Sequence, residues 1–178
     1  MNAIELIQND HRRVEGLFAE FEADGGDRRQ QLLGEIIREL SIHSAIEEAY
    51  IYPRIRSQAE NGEAYVEESE REHQAVKESL ARLDGKLDKA HTKEVADQVQ
   101  TLKTNVMHHV EEEENEVLPA FEQAATKTEL EEIGRELKAA KDNAPTRPHP
   151  NQPTATVLTG WANGLLDRAR DAVAGRPR

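Results

Sequence analysis

Residues 66–87 read VEESEREHQAVKESLARLDGKL, and this stretch shows most clearly how the chain folds. Its apolar and small side chains recur at steps of three and four residues, which is the spacing of one face of an α-helix. The members of this stripe are Val66, Ser69, His73, Val76, Leu80, Leu83 and Leu87. The sequence therefore predicts an amphipathic helix that carries one imidazole on its inward face.

Three further segments repeat this pattern, and each also holds one histidine on its stripe. These histidines are His11, His43 and His109. Because short loops make sequence neighbours antiparallel, we predict an all-α, up-down-up-down four-helix bundle with a short fifth helix. Capping boxes are predicted at Asn2 with Glu5, for the first helix, and at Thr128 with Glu131, for the fifth.

The composition changes after Asp142. Four of the ten residues from Ala144 to Pro153 are proline, which predicts an extended linker. A short amphipathic helix is predicted beyond it, with an apolar face made of Leu158, Trp161, Leu165, Ala169 and Ala172. We therefore expect a bundle over residues 1–142 and a Pro-rich linker with an amphipathic tail over residues 143–178. Docking of this tail on its own bundle, or disorder of the tail, is favoured over binding to a partner or a membrane surface.

Charge and composition exclude several classes of protein. The chain has 178 residues and a formal net charge of −12. Residues 145–178 carry +3, which leaves −15 for residues 1–144, so we expect no nucleic-acid binding. The chain has no cysteine, hence no disulfide and no thiolate metal site. We see no secretory signal and no apolar run of about 18 residues, so we expect a cytoplasmic monomer without a transmembrane segment.

The four histidines belong to a motif that occurs twice. Each copy has an acid-histidine pair, then a His-x-x-x-Glu pair, and a proline ten residues after the second histidine. The first copy consists of Asp10-His11, His43, Glu47 and Tyr52-Pro53. The second copy consists of Glu72-His73, His109, Glu113 and Leu118-Pro119. The repetition predicts that four facing helices bring four imidazoles and two carboxylates together.

Six side chains of the repeat are therefore predicted metal ligands: His11, His43, Glu47, His73, His109 and Glu113. A carboxylate in a bundle core is costly unless it is paired or bound to a metal. Imidazole together with carboxylate suits iron, manganese or zinc. A single histidine on a helical stripe is more often a hydrogen-bonded core residue. Four in register, with a glutamate on alternate helices, favour a dinuclear metal site.

On these residues the chain resembles the hemerythrin-like, or HHE, cation-binding family, in its actinobacterial form. The resemblance covers about residues 1–125, or 1–142 with the fifth helix. It rests on His11, His43 to Glu48 with Tyr52-Pro53, His73, and His109 to Glu113 with Pro119. It implies two non-haem iron ions with an oxo or hydroxo bridge, with zinc or manganese as alternatives. It also implies a small gaseous or peroxide ligand.

The chain departs from the oxygen-carrying members of that family at two positions. Those relatives have a further histidine one turn after the third-helix histidine, where this chain has Lys77. They have an aspartate where this chain has Glu114. The missing imidazole leaves a coordination position to water, a substrate or another side chain. Tyr50 is predicted as a candidate for it, with a core tyrosine as the alternative, whereas Tyr52 is expected only to pack.

The leading hypothesis is a di-iron protein that binds or reacts with dioxygen, peroxide or nitric oxide under oxidative or nitrosative stress. Its enzymatic version is weak, catalase-like removal of peroxide. No catalytic residue separate from the metal centre is predicted. The alternative is an oxygen, nitric oxide or iron sensor or storage module that acts through an unidentified protein partner. A third hypothesis is a bundle held together by structural zinc.

Overall fold

The computed structural model describes residues 1–152 and 161–173, with side chains of residues 164–172 in the second segment. The described residues form helices, turns and loops, with no strand among them. The helices are α1 (Ala3–Ala23), α2 (Arg29–Ile46), α3 (Tyr52–Gln58), α4 (Gly62–Asp84), α5 (Lys93–Glu112), α6 (Leu118–Ala124), α7 (Lys127–Lys141) and α8 (Trp161–Val173). A 3-10 turn, Leu87–Lys89, precedes α5, and π-helices Glu47–Ile51 and Glu113–Val117 join α2 to α3 and α5 to α6.

The four long helices form a closed ring. Helix α1 packs against α2 and α5, and α4 packs against the same two neighbours. This arrangement confirms the predicted all-α four-helix bundle. Helix α7 is the predicted short fifth helix, and it packs on α1 and α2. No helix in the described part of the chain is both long and apolar enough to cross a bilayer.

The helix starts follow local side-chain chemistry. Asn2 and Glu5 form the predicted capping box of α1, in which each side chain accepts a hydrogen bond from the other residue's backbone N–H. The capping box of α7 is formed by Thr126 and Glu129. The prediction of Thr128 for this role was therefore wrong by two residues, because α7 already begins at Lys127.

The bundle core consists of two apolar clusters. One contains Phe18, Leu33, Leu80 and Leu102, among others, and the other contains Ile7, Ile46, Tyr52 and Phe121, among others. Each large side chain buried in this way stabilises the fold by about 1.5–3 kcal/mol. The four predicted ligand histidines lie between members of the two clusters along the sequence, and all four are buried. The centre of the bundle is therefore a buried polar layer between two apolar ones.

The C-terminal segment packs on the bundle. Arg147 donates to Asp84, at 3.3 Å, and lies 2.9 Å from Asp171 of α8. Arg168 donates to the backbone carbonyl of Ala144, at 3.0 Å. These contacts confirm docking of the described tail on its own bundle. The division of the chain between residues 142 and 143 stays a prediction.

Helix α8 docks through its polar face. Gly164, Asp167 and Asp171 are buried, whereas Leu165 and Leu166 are 61% and 56% exposed. A Cβ atom at position 164 would lie 2.1 Å from the carbonyl oxygen of Asn143, so glycine is required for this close approach. The predicted apolar face therefore points to solvent at Leu165, Ala169 and Ala172. Leu158 and the side chain of Trp161 lie outside the described residues.

Candidate metal centre

The structure brings the six predicted ligands together in the buried polar layer. Each is at most 5% exposed. They form two groups that share Glu47, and in each group the nitrogen or oxygen atoms lie within 4.8 Å of one another. The first group is His11, His43, Glu47 and Glu113, and the second is Glu47, His73 and His109. Their ability to hold metal was a prediction, and their assembly in one place supports it.

Glu47 connects the two groups. Its Oε2 atom lies 3.1 Å from Nε2 of His43 and 3.4 Å from Nε2 of His73. Burial raises the pKa of Glu47 well above its ordinary value, and the nearby charge of Glu113 raises it further. A carboxylate in such surroundings is stabilised when cations bind beside it, because their charge offsets both effects.

Glu113 occupies the equivalent position in the second copy of the repeat. Its Oε2 atom lies 3.2 Å from Nε2 of His11 and 3.8 Å from Nε2 of His109. Burial alone would raise the pKa of Glu113, but the polar contact with Nε2 of His11 and the charges of the nearby histidines lower it to about 2. Glu47 and Glu113 thus titrate as a pair, in which the pKa of Glu47 is raised and the pKa of Glu113 is lowered.

The outward nitrogen of each histidine faces a further carboxylate. The four Nδ1–carboxylate pairs are His11–Glu114 (2.7 Å), His43–Asp10 (3.8 Å), His73–Glu48 (3.0 Å) and His109–Glu72 (2.7 Å). A carboxylate at Nδ1 favours the proton there, which leaves the Nε2 lone pair directed into the centre. This is the usual way in which proteins orient metal-ligating histidines.

These four carboxylates were not predicted as partners of the histidines, although the repeat contained a signal for them. One acid precedes the first histidine in each copy, and another follows the ligand glutamate. In the fold, Asp10 and Glu72 contact the second histidine of their own copy. Glu48 and Glu114 instead contact the first histidine of the other copy, across the bundle. Spacing alone does not specify these cross-helix pairings.

The inward-pointing atoms of the six residues fit a cation centre. Nε2 of His73 lies 3.1 Å from Nε2 of His109, and both rings offer lone pairs there if their Nδ1 atoms donate to Glu48 and Glu72. Both side-chain oxygens of Glu47 and of Glu113 are buried and make no hydrogen bond to any described residue. Buried lone pairs without donors are costly, and metal ions relieve that cost.

Tyr50 does not lie with these ligands, contrary to the prediction. Its half-buried side chain lines a separate surface cavity together with Ala45 and Glu136. The tyrosine at the centre is Tyr52, whose hydroxyl lies 3.1 Å from Nε2 of His73. The expectation that Tyr52 only packs was therefore wrong as well.

A π-helix explains this exchange of tyrosines. Within Glu47–Ile51 the backbone bonds span five residues, so the N–H of Tyr52 donates to the carbonyl of Glu47. An α-helix would have placed Tyr50 and Ile51 over Glu47 instead. The second copy has the same insertion at Glu113–Val117, which places Leu118 over Glu113. Short π segments recur at functional sites, and here each begins at a predicted ligand.

Lys77, at the position one turn after His73, pairs with Glu48 on the outer side of His73. Burial would raise the pKa of Glu48, but the hydrogen bond from His73 and the charge of Lys77 lower it to about 2, from an ordinary value of 4.5. A carboxylate with a lowered pKa stabilises the folded state above pH 4.5, and this contribution is lost as the pH falls towards 2.

We therefore expect Glu48→Gln to destabilise the metal-free chain at pH 7 by on the order of 3 kcal/mol. The difference from wild type should shrink between pH 4.5 and pH 3, where Glu48 begins to lose this advantage. Urea unfolding at pH 7 and pH 3 measures both values. Glu111→Gln, at an exposed position, is the control. An equal destabilisation at both pH values would contradict this assignment.

Comparison with known proteins agrees with this geometry. The family model of the hemerythrin HHE cation-binding domain matches residues 2–121. The chain belongs to this family. The match includes all six predicted ligands and both π-helices, so the hemerythrin-like bundle is a metal-binding module with two His/Glu groups as its candidate sites.

Individual relatives share different parts of the hemerythrin-like chain. An uncharacterized hemerythrin-like protein of Schizosaccharomyces pombe is 26% identical over 178 residues, which cover 97% of this chain and 87% of that protein. A DNA nickase of Nostoc sp. is 31% identical over 151 residues, but the match spans only 41% of the nickase and 83% of this chain. A crystal structure of a hemerythrin HHE domain-containing protein from Mycobacterium kansasii is 26% identical, with a TM-score of 0.68, over 79% of this chain and 85% of that one.

Proposed function

We propose that this bundle holds two non-haem iron ions and binds or reacts with dioxygen, peroxide or nitric oxide. The observation that supports this most strongly is the pair of buried ligand groups that share Glu47. A shared carboxylate suits two neighbouring ions, and the mixture of imidazole and carboxylate donors suits iron. When bound, the iron ions would supply the electrons for reaction with a small oxidant.

The chain itself would orient the donors and exclude water. In the first group, His11 and His43 hold their Nε2 atoms beside the two glutamates. The apolar clusters on either side of the polar layer keep bulk solvent away. Burial lowers the pKa of His43 to about 4, so this imidazole stays neutral and able to bind a cation at any pH near neutrality.

The second group has fewer protein donors, and we place the reactive position there. Its members are Glu47, His73 and His109, against four residues in the first group. The Tyr52 hydroxyl lies beside His73, and burial together with the charges of Glu47 and Glu113 raises its pKa well above the ordinary value. The phenol therefore stays protonated near neutral pH, which allows its O–H group to donate a hydrogen bond to a small ligand.

Tyr52→Phe tests the role of this hydroxyl. We expect the variant to keep its fold and its metal content, because the ring remains and the six ligands are unchanged. The rate of reaction of the reduced protein with peroxide should fall by about 10-fold or more, since positioned proton donors contribute about 10²–10⁴-fold. Stopped-flow absorption measures this rate, with Tyr50→Phe as the matched control. Equal rates for wild type and Tyr52→Phe would contradict the assignment.

A second function, a sensor or storage module that acts through a partner, is favoured by one observation. Leu165 and Leu166 of α8 are exposed large apolar residues beside each other on the docked tail, and such a pair suits a protein contact. The DNA nickase of Nostoc sp. is a longer protein, and this chain matches only 41% of it. Residues 1–144 carry a net charge of −15, which disfavours DNA binding by this bundle.

Addition of peroxide to the iron-loaded chain separates these two functions. Repeated oxygen evolution, followed with an oxygen electrode, supports the enzymatic version. Stoichiometric change of the absorption spectrum without oxygen evolution supports sensing or storage. A chain that contains iron and whose spectrum responds to none of dioxygen, peroxide and nitric oxide would contradict both.

A further inference from the structure

Four carboxylates contact the Nδ1 atoms of the histidines, and three of them also pair with a lysine or arginine side chain on the side away from the metal centre. Arg12 contacts Glu114, Lys141 contacts Asp10, and Lys77 contacts Glu48. These cations offset the charge of carboxylates that are largely withdrawn from solvent. The pattern is therefore a repeated unit of histidine, carboxylate and outer positive charge.

The fourth carboxylate, Glu72, departs from this pattern. Its Oε2 atom accepts from Nδ1 of His109 at 2.7 Å, as the pattern requires. No lysine or arginine in the described part of the chain lies within ion-pair distance of it. Its Oε1 atom instead lies 4.0 Å from Nε2 of His108. The charge of this carboxylate thus lacks the permanent compensation that the other three have.

A further carboxylate meets Glu72 and His108 at this point. Glu112 lies one turn after His108 on α5, and its Oε1 atom is 3.5 Å from Nε2 of His108. One donor atom from each of Glu72, His108 and Glu112 lies within 4.8 Å of the other two. The side chains of His108 and Glu112 are 63% and 44% exposed, so both are free to move closer around an ion.

We propose that Glu72, His108 and Glu112 bind a divalent transition-metal cation at the surface between α4 and α5. One imidazole nitrogen and two carboxylate oxygens suit Zn²⁺, Fe²⁺ or Mn²⁺. The two carboxylates supply the two negative charges that a divalent cation offsets. The bound ion would occupy the place that Arg12, Lys141 and Lys77 fill behind the other three histidines. This surface site goes beyond the proposed function and does not depend on it.

The surface site is connected to the buried centre through one side chain. Glu72 presents one oxygen to His109 and the other to His108. An ion on the outer oxygen would draw charge from the carboxylate and weaken its hydrogen bond with His109. Occupation of the surface site should therefore alter the absorption of a filled buried centre.

Zinc titration of the full-length, tag-free chain with its buried centre already filled tests this proposal. Isothermal titration calorimetry should detect one more bound Zn²⁺ in wild type than in the double variant H108A/E112Q. If the variant retains any binding there, the affinity should be at least 10-fold weaker, since loss of even an outer partner of a ligand costs about 10–100-fold. The surface positions of both residues should leave the fold intact, which circular dichroism verifies.

His91→Ala, at another exposed histidine, is the matched control and should bind zinc as wild type does. Equal zinc stoichiometry and affinity in wild type and H108A/E112Q would overturn the proposal, and so would an equal loss in His91→Ala. The metal content of the buried centre is measured separately before the titration. A chain without iron would contradict the proposed function. The difference in the number of bound Zn²⁺ ions between wild type and H108A/E112Q would still test the surface site.

Discussion

Glu47→Gln is expected to reduce the metal content of the purified chain from two ions to fewer than one. Glu47 is the only residue common to both ligand groups among the described residues, and its oxygens make no hydrogen bond there. An amide is a neutral and much weaker donor than a carboxylate, so both positions should lose affinity together, by about 100-fold or more. Elemental analysis and metal titration of the variant measure this loss.

Glu116→Gln is the matched control for this experiment, because Glu116 lies in the equivalent π-helix of the second repeat but is exposed. It should keep the full metal content. Loss of a single ion in Glu47→Gln, with the other retained at wild-type affinity, would contradict the shared role of this carboxylate.

Removal of metal should lower the melting temperature of wild type by about 10 °C. A ligand present at about 1,000 times its dissociation constant contributes about 4 kcal/mol, and each kcal/mol moves the melting temperature of a chain of this size by about 2–4 °C. The buried oxygens of Glu47 and Glu113 are then left without a partner. Differential scanning calorimetry with and without a chelator measures the shift.

The double variant Glu47→Leu/Glu113→Leu provides the comparison for this shift. Replacement of buried charged groups by leucine is often neutral or stabilising by about 1–4 kcal/mol. The metal-free variant should therefore melt at or above the temperature of metal-free wild type, and chelator should have no effect on it. A chelator effect of equal size in wild type and variant would show that these glutamates do not hold the stabilising metal.

The fold and the assembly of the six predicted ligands in one place could be predicted because both depend on one periodic pattern. Apolar residues at steps of three and four give helices with a buried face, and short connections give an antiparallel bundle. A histidine that keeps to such a stripe, as His73 does between Val66 and Leu80, must point inward with it. The structure places all six predicted ligands in one buried layer for this reason.

The tyrosine at the centre could not be predicted from the same pattern. A π-helix adds one residue to a turn, which moves every later side chain on to another face. The period of 3.6 residues therefore pointed to Tyr50, whereas the backbone of Glu47–Ile51 brings Tyr52 to His73. A proline follows each π-helix in the sequence, but it does not show that the preceding turn contains one additional residue.

The periodic pattern also did not predict which face of α8 packs on the bundle. Amphipathic helices in small proteins usually bury their apolar side, yet α8 buries Asp167 and Asp171. The partners that make this arrangement stable come from the preceding loop, where Thr146 donates to Asp171 at 2.6 Å and His149 lies 2.9 Å from Asp167. Such pairings depend on where the loop crosses the bundle, which the helical pattern does not specify.

The central claim is that this bundle holds two iron ions in its buried polar layer. Elemental analysis of the full chain purified in air, together with its absorption spectrum, tests it most directly. We predict two iron ions per chain, one for each ligand group, and a near-ultraviolet band that disappears when the protein is reduced. A colourless chain that contains zinc, or one that contains no metal after growth in iron-rich medium, would contradict the account.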